Sequence, residues 1–140
     1  MKTYEQFLED LKKLRILAQK HCIFNKEEFE SNFEIATKLA KWVDLKQQYL
    51  MYYQQIEQDK NKLYRDLYEY YKTEYHLNIE TKDELRLFIE TDKNYQEIFQ
   101  KYKLLKQIIK FIDDVIDVLK NKLWEIKYYI DWQKFINGVV

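Results

Sequence analysis

The sequence predicts an all-α fold of long helices with coiled-coil-like packing, assembled into a helical oligomer. Two observations carry this. Apolar residues recur at steps of three and four over stretches much longer than an ordinary globular helix. The 140 residues also contain no Pro and one Gly, Gly138, so the turns on which hairpins and sheets depend lack the residues that make them. Length predicts a single domain over 1–140, read as an N-terminal helix region (1–33), a long middle helix (34–76), a connector (77–92) and a long C-terminal oligomerisation helix (93–138).

Thr3-Tyr4-Glu5-Gln6 has capping-box form and opens a helix with Phe7, Leu11, Leu14 and Leu17/Ala18 on one side, ending near His21-Cys22. Asn25 before Lys26-Glu27-Glu28 is a second N-cap pattern. In the middle helix Ile35, Trp42, Tyr49, Ile56, Leu63, Tyr70 and Leu77 repeat every seven residues. Leu39, Tyr53 and Leu67 fill a companion row that Lys46 and Lys60 interrupt, so the seam is good on one side and patchy on the other. The period breaks between about His76 and Asp92; Thr81-Lys82-Asp83-Glu84 has capping-box form, and Leu85–Ile89 reads as a short helix rather than a strand without a partner.

The last segment is the most regular. Tyr95, Ile98, Tyr102, Leu105, Ile109, Ile112, Ile116, Leu119, Leu123, Ile126 and Ile130 alternate steps of three and four, a seam of roughly 50 Å. A second row one residue behind it, Leu104, Ile108, Phe111, Val115 and Val118, widens the apolar face to about half the circumference, more than one partner helix covers. The expected oligomerisation residues are Leu105, Ile109, Ile112, Ile116, Leu119, Leu123, Ile126, Ile130, Trp132 and Phe135. Asn137-Gly138 supplies a left-handed stop.

Composition excludes several chemistries. A single Gly rules out any Gly-rich phosphate cradle or dinucleotide fingerprint. Ser31 has no companion base in a suggestive context, and adjacent His21 and Cys22 point about 100° apart on a helix, unsuited to a shared metal. Asp113, Asp114 and Asp117 read as a solvated acidic face. No catalytic residue, metal or cofactor is expected. The 24 basic and 24 acidic residues balance, so any nucleic-acid site is local or gains strength from several subunits. One Cys fits a reducing compartment, the N-terminal residues have no apolar signal core, and no apolar run approaches the ~20 residues of a membrane span, which predicts a soluble intracellular protein.

One stretch does carry chemistry. Tyr64, Tyr68, Tyr71 and Tyr75 form a stripe with Lys60, Lys62, Arg65 and Lys72 interleaved. Single-stranded nucleic acid uses that mixture, cations following phosphates and rings stacking on unpaired bases. Tyrosines at helical spacing also serve as packing, and Asp59, Asp66 and Glu69 dilute the positive field.

The C-terminal run Trp124-Glu125-Ile126-Lys127-Tyr128-Tyr129-Ile130-Asp131-Trp132-Gln133-Lys134-Phe135-Ile136-Asn137-Gly138 resembles the end of the tailed-phage recombination mediators, the UvsY-like family, with Trp124, Ile126, Lys127, Ile130, Asp131, Trp132, Phe135 and Gly138 at matching positions. Glu90-Thr91-Asp92 is similar to the acid-small-acid step before that family's last helix, and Glu69-Tyr70-Tyr71 to its acid-Tyr-Tyr. The resemblance spans about Ile35 to Gly138. Lys122-Leu123 stands where the family usually has Arg and often Gly, Lys72-Thr73 where a Gly is typical, and Leu67 where a second basic residue follows the one matched by Arg65.

The resemblance implies a non-enzymatic protein that binds single-stranded DNA in the host bacterial cytoplasm. It implies ring-like homo-oligomers of six or seven subunits that help a RecA-like recombinase displace the single-strand-binding protein. On that reading Lys60, Lys62, Arg65 and Lys72 meet the strand, with Tyr64, Tyr68 or Tyr71 stacking on bases. The competing expectation is a structural coiled-coil oligomer or adaptor without affinity for DNA, which the periodicity fits equally well.

Overall fold

The computed structural model describes residues 2–23, 34–75 and 79–138; the readings placed on Asn25–Glu28, Ser31, His76 and Leu77 lie outside them. Among the described residues there are four α-helices and no strand: α1 (Tyr4–His21), α2 (Ile35–Glu69), α3 (Lys82–Thr91) and α4 (Lys93–Ile136). A single π-helical turn, Tyr70–Glu74, extends α2.

α1 starts where the capping box requires. The Thr3 hydroxyl accepts from the Gln6 amide at 3.2 Å, and the Gln6 side chain accepts from the Thr3 amide at 2.9 Å. Two amides that no helical carbonyl reaches are thereby satisfied. The helix buries Phe7, Leu11, Leu14 and Ala18, the side that its periodicity marks.

α2 and α4 are antiparallel neighbours, with a register fixed by side-chain pairs along their length. Tyr64 meets Tyr95, Tyr53 meets Tyr102, and Lys46 reaches Asp113 at 2.7 Å. α1 runs antiparallel to α2 in its turn: Phe7 lies edge-on to Tyr52, Tyr49 donates to Asp10 at 2.8 Å, and the Trp42 indole donates to His21 Nδ1 at 3.0 Å. Lys2 also pairs with Asp10, at 2.7 Å.

Both rows of α4 enter one core. Leu105, Ile112, Ile116 and Leu119 of the first row and Leu104, Ile108 and Val115 of the second are all buried, together with Ile35, Trp42, Tyr49 and Ile56 of α2 and the inner side of α1. One partner does not cover the wide face of α4; α1 and α2 together cover most of it, although Val118 at the end of the second row stays exposed. Each fully buried Leu or Ile contributes about 1.5–3 kcal/mol, so the middle of α4 draws most of its stability from within the chain.

The seven-residue row of α2 fades toward its end. Leu63 is half-buried and Tyr70 is exposed. Helical drift explains the change: seven residues fall roughly 20° short of two full turns, so the row moves about 100° around the helix between Ile35 and Tyr70, whose amide still bonds to the Asp66 carbonyl. The π turn begins only there, the Tyr75 amide bonding to the Tyr70 carbonyl at 3.0 Å. Tyr71 takes the inward position that the repeat assigns to Tyr70. Its ring and that of Tyr75 lie against Phe88 at 5.6 and 5.4 Å between centroids.

α3 is the short helix expected over Leu85–Ile89, its first turn capped by the Thr81 hydroxyl, which accepts from the Glu84 amide at 3.1 Å. Leu85, Ile89 and Tyr95 form a second, smaller core against Leu63, Tyr64, Leu67, Tyr68 and Tyr71. At the far end, Gly138 adopts φ +69°, the left-handed stop read from Asn137-Gly138.

The His21–Trp42 hydrogen bond makes stability depend on pH. Burial, then the neighbouring Lys38, Lys41 and Lys20, hold the His21 imidazole below its ordinary value of 6.5. Folding therefore favours the neutral ring, which accepts the indole proton. This contribution is complete above the free imidazole value and is lost as pH falls through the lowered folded value. The urea midpoint should drop between pH 7.5 and pH 5, and the drop should shrink in His21→Gln; an equal drop in that variant would assign the loss to other groups.

Candidate nucleic-acid interface

The residues expected to bind nucleic acid fall on different sides of α2. At about 100° per residue, Lys60 lies roughly 140° around the helix from Arg65. Lys62, Arg65 and Lys72 are exposed, with exposed Asp66 and Glu69 beside them. Lys60 instead turns toward α4, where its ammonium sits 4.4 Å from the centroid of the Tyr102 ring.

The tyrosine stripe is drawn partly into the fold. Tyr64 packs edge-on to Tyr95 at 5.9 Å, and Tyr64, Tyr68 and Tyr71 all border the second core. Tyr71 is held most firmly, its hydroxyl donating to Asp92 Oδ2 at 3.0 Å; burial and that carboxylate push its phenol up to about 12. Tyr68 keeps a cation over its ring, with Lys72 Nζ 5.4 Å from the centroid. The residues that most nearly retain the expected arrangement are thus Lys62, Arg65, Lys72 and Tyr68.

Lys60 gains different companions, contributed by α4. Lys106 lies 4.8 Å from the same Tyr102 centroid, and Lys103 lies 5.1 Å from that of Phe99. Tyr53, Tyr102 and Phe99 form a near-parallel stack across the two helices, with centroids 5.1 and 6.2 Å apart. The hydroxyls of Tyr53 and Tyr102 are 2.8 Å apart. The hydrogen bond shared with Tyr53, with Lys106 and Lys60 nearby, holds the Tyr102 phenol below its ordinary value. Lys103 and Lys106 do not stand out in the sequence; the available signal was their spacing around Phe99 and Tyr102, which becomes informative only once the register of α2 on α4 is known.

The expected oligomerisation residues also divide. Leu105, Ile112, Ile116, Leu119 and Ile126 are buried inside the chain, whereas Ile109, Leu123 and Ile130 are half-buried. Trp132 and Phe135 are 57% and 75% exposed, and Trp124, Tyr128, Tyr129 and Ile136 are exposed beside them. The register accounts for this. Continued toward its N-terminus, α2 runs out opposite about residue 122, so α4 extends roughly 20 Å past the described start of α2.

The profile of the family described as "Recombination, repair and ssDNA binding protein UvsY" matches residues 6–139. The chain belongs to the UvsY family. The crystal structure of the bacteriophage T4 recombination mediator protein UvsY shares this fold, with a TM-score of 0.76 at 17% identity over 89% of this chain and 97% of that one. No curated protein matches the chain in sequence.

Within the UvsY fold, the acid-small-acid step has a clear local structure. Asp92 alone separates α3 from α4 and serves both helices. Its Oδ1 accepts from the amides of Asn94 and Tyr95 at 2.9 and 3.2 Å, capping α4, while Oδ2 accepts from Tyr71. Glu90 pairs with Arg86 at 2.9 Å, and the Thr91 hydroxyl donates to the Leu87 carbonyl at 2.8 Å.

Asp92 should therefore matter more than Tyr71. Tyr71→Phe should cost about 1 kcal/mol, the net worth of one hydrogen bond. Asp92→Ala should cost about 1–3 kcal/mol, because the cap is removed as well. Urea denaturation checks the order, and equal costs would mean that the cap contributes nothing.

Proposed function

We propose that this chain is a single-stranded-DNA-binding recombination mediator that helps load a RecA-like recombinase onto strand covered by single-strand-binding protein. The observation that carries the reading is the UvsY family match over residues 6–139, supported by a shared fold at TM-score 0.76. The protein acts by binding, without a catalytic step of its own, in the cytoplasm of the phage's bacterial host. The energy for filament assembly comes from ATP bound by the recombinase. No described helix is long and apolar enough to cross a membrane.

Lys62, Arg65 and Lys72 supply cations along the exposed side of α2, and Tyr68 is the ring best placed beside them. A net charge of zero makes one such surface weak. Repetition around a ring-like homo-oligomer of six or seven subunits converts several weak interactions into avidity. The aromatic end of α4, with Trp132 and Phe135, joins the subunits, while the half-buried Ile109, Leu123 and Ile130 lie on another side of the helix and add a separate contact. Trp124, Tyr128, Trp132 and Phe135 are all exposed on one side of that end, an apolar surface of a kind unusual on a monomer. The competing reading, a structural oligomer without DNA affinity, shares the assembly and lacks the strand.

Fluorescence anisotropy with labelled single-stranded and duplex oligonucleotides across a salt series separates the two. Single strand should bind, with log affinity falling linearly against log salt. Arg65→Ala should lower that slope by about 0.7 for each phosphate that it ceases to neutralise. Tyr68→Ala should weaken binding by about 1–3 kcal/mol with the slope unchanged. Wild-type protein that ignores single strand would leave the structural oligomer as the function.

Assembly is best tested at the exposed end of α4, because charges at Ile112 or Ile116 would break the core of the chain itself. Trp132→Glu with Phe135→Glu should yield a smaller species by light scattering, with helical circular dichroism retained. Wild type that is monomeric at micromolar concentration would overturn the assembly.

A further inference from the structure

We propose that Lys60 of α2 and Lys103 and Lys106 of α4 form a second site for the phosphodiester backbone of single-stranded DNA, built on the stacked rings of Tyr53, Tyr102 and Phe99. The inference rests on the strand-binding reading and adds α4 to a surface so far confined to α2.

The gathering of charge favours an anion here. Lys60 and Lys106 lie 4.4 and 4.8 Å from one ring centroid, so their nitrogens are at most about 9 Å apart. That is within the screening length of roughly 8–10 Å at moderate salt, and like charges this close repel. Among the described residues none of the three lysines has a carboxylate within ion-pair distance. Glu57 acts on the neighbouring Tyr53 hydroxyl and leaves the ammonium groups unpaired. An anion bound between them would relieve the repulsion.

Pre-organisation favours it as well. A free lysine loses side-chain entropy when it grips a phosphate. Here the ring faces already hold the ammonium groups near one another through cation–π attraction, so less ordering remains to be done on binding. The rings are packed on each other and covered by lysines, which makes this a backbone-binding surface rather than a platform for bases. Lys103 and Lys106 are exposed and accessible to a strand.

The test is the salt dependence of oligothymidylate binding by the full chain, with Lys103→Gln/Lys106→Gln beside Lys103→Arg/Lys106→Arg. The Gln pair should lower the slope of log affinity against log salt by about 1.4 per subunit engaged, at about 0.7 per phosphate neutralised. The Arg pair should keep the wild-type slope. Circular dichroism and light scattering confirm that both variants fold and assemble as wild type does. Wild-type binding with an unchanged slope in the Gln pair would overturn this site while leaving strand binding on α2 intact. An Arg pair that loses the slope as the Gln pair does would overturn it too, because charge would not be the determinant. Absence of binding by wild type would overturn both readings together.

Discussion

Burial of the inward row of α2 against the two rows of α4 sets the position of nearly everything else. That pairing brings Lys60 to Tyr102, presents Tyr64 to Tyr95 and leaves the last turns of α4 without α2 beside them. The half-buried ion pair of Lys46 with Asp113 still faces solvent and adds about 1 kcal/mol to it, so apolar packing rather than charge holds the register. Large aromatic side chains do much of this packing. Trp42 is fully buried, with Phe111 6.4 Å away on α4 and His21 on α1 at its indole nitrogen.

The helices were legible in the sequence because their signals are local. Caps such as Thr3 and Thr81 act within one turn, and the burial of Ile35, Trp42, Tyr49 and Ile56 follows from spacing alone. Tyr70 shows where that reasoning stops. A strict seven-residue row drifts by about 20° per repeat on a straight α-helix, and after five repeats the inward place has passed to Tyr71. The width of the apolar face on α4 was equally plain, but not what covers it: periodicity shows that a face is buried without saying whether the cover is α1 or another subunit.

The proposed nucleic-acid surface was less legible for a related reason. Interleaving in sequence is not adjacency on a helix, and Lys60 belongs with residues more than forty positions away rather than with Lys62. The paired tyrosines illustrate a competition between uses. A phenol supplies a flat ring for a base, but it also suits the border of a small core, where the ring is buried and the hydroxyl finds a carboxylate, as Tyr71 does at Asp92. The second core uses much of the stripe in this way and leaves the cations on the outside.

The two cores also divide the molecule dynamically. The larger one spans α1, α2 and α4, while the smaller holds the ten-residue α3 against the end of α2 and the start of α4 with Leu85, Ile89 and Tyr95 at its centre. Cooperative opening follows such divisions, and the unit with less buried apolar packing opens at lower free energy. Backbone amides of α3 and of the turn at Tyr70–Glu74 therefore exchange with solvent before those in the middle of α2 and α4. The exposed Lys62, Arg65 and Lys72 border the part of the chain that yields first, so, on the proposed function, this end can rearrange around a strand while the long helices stay closed.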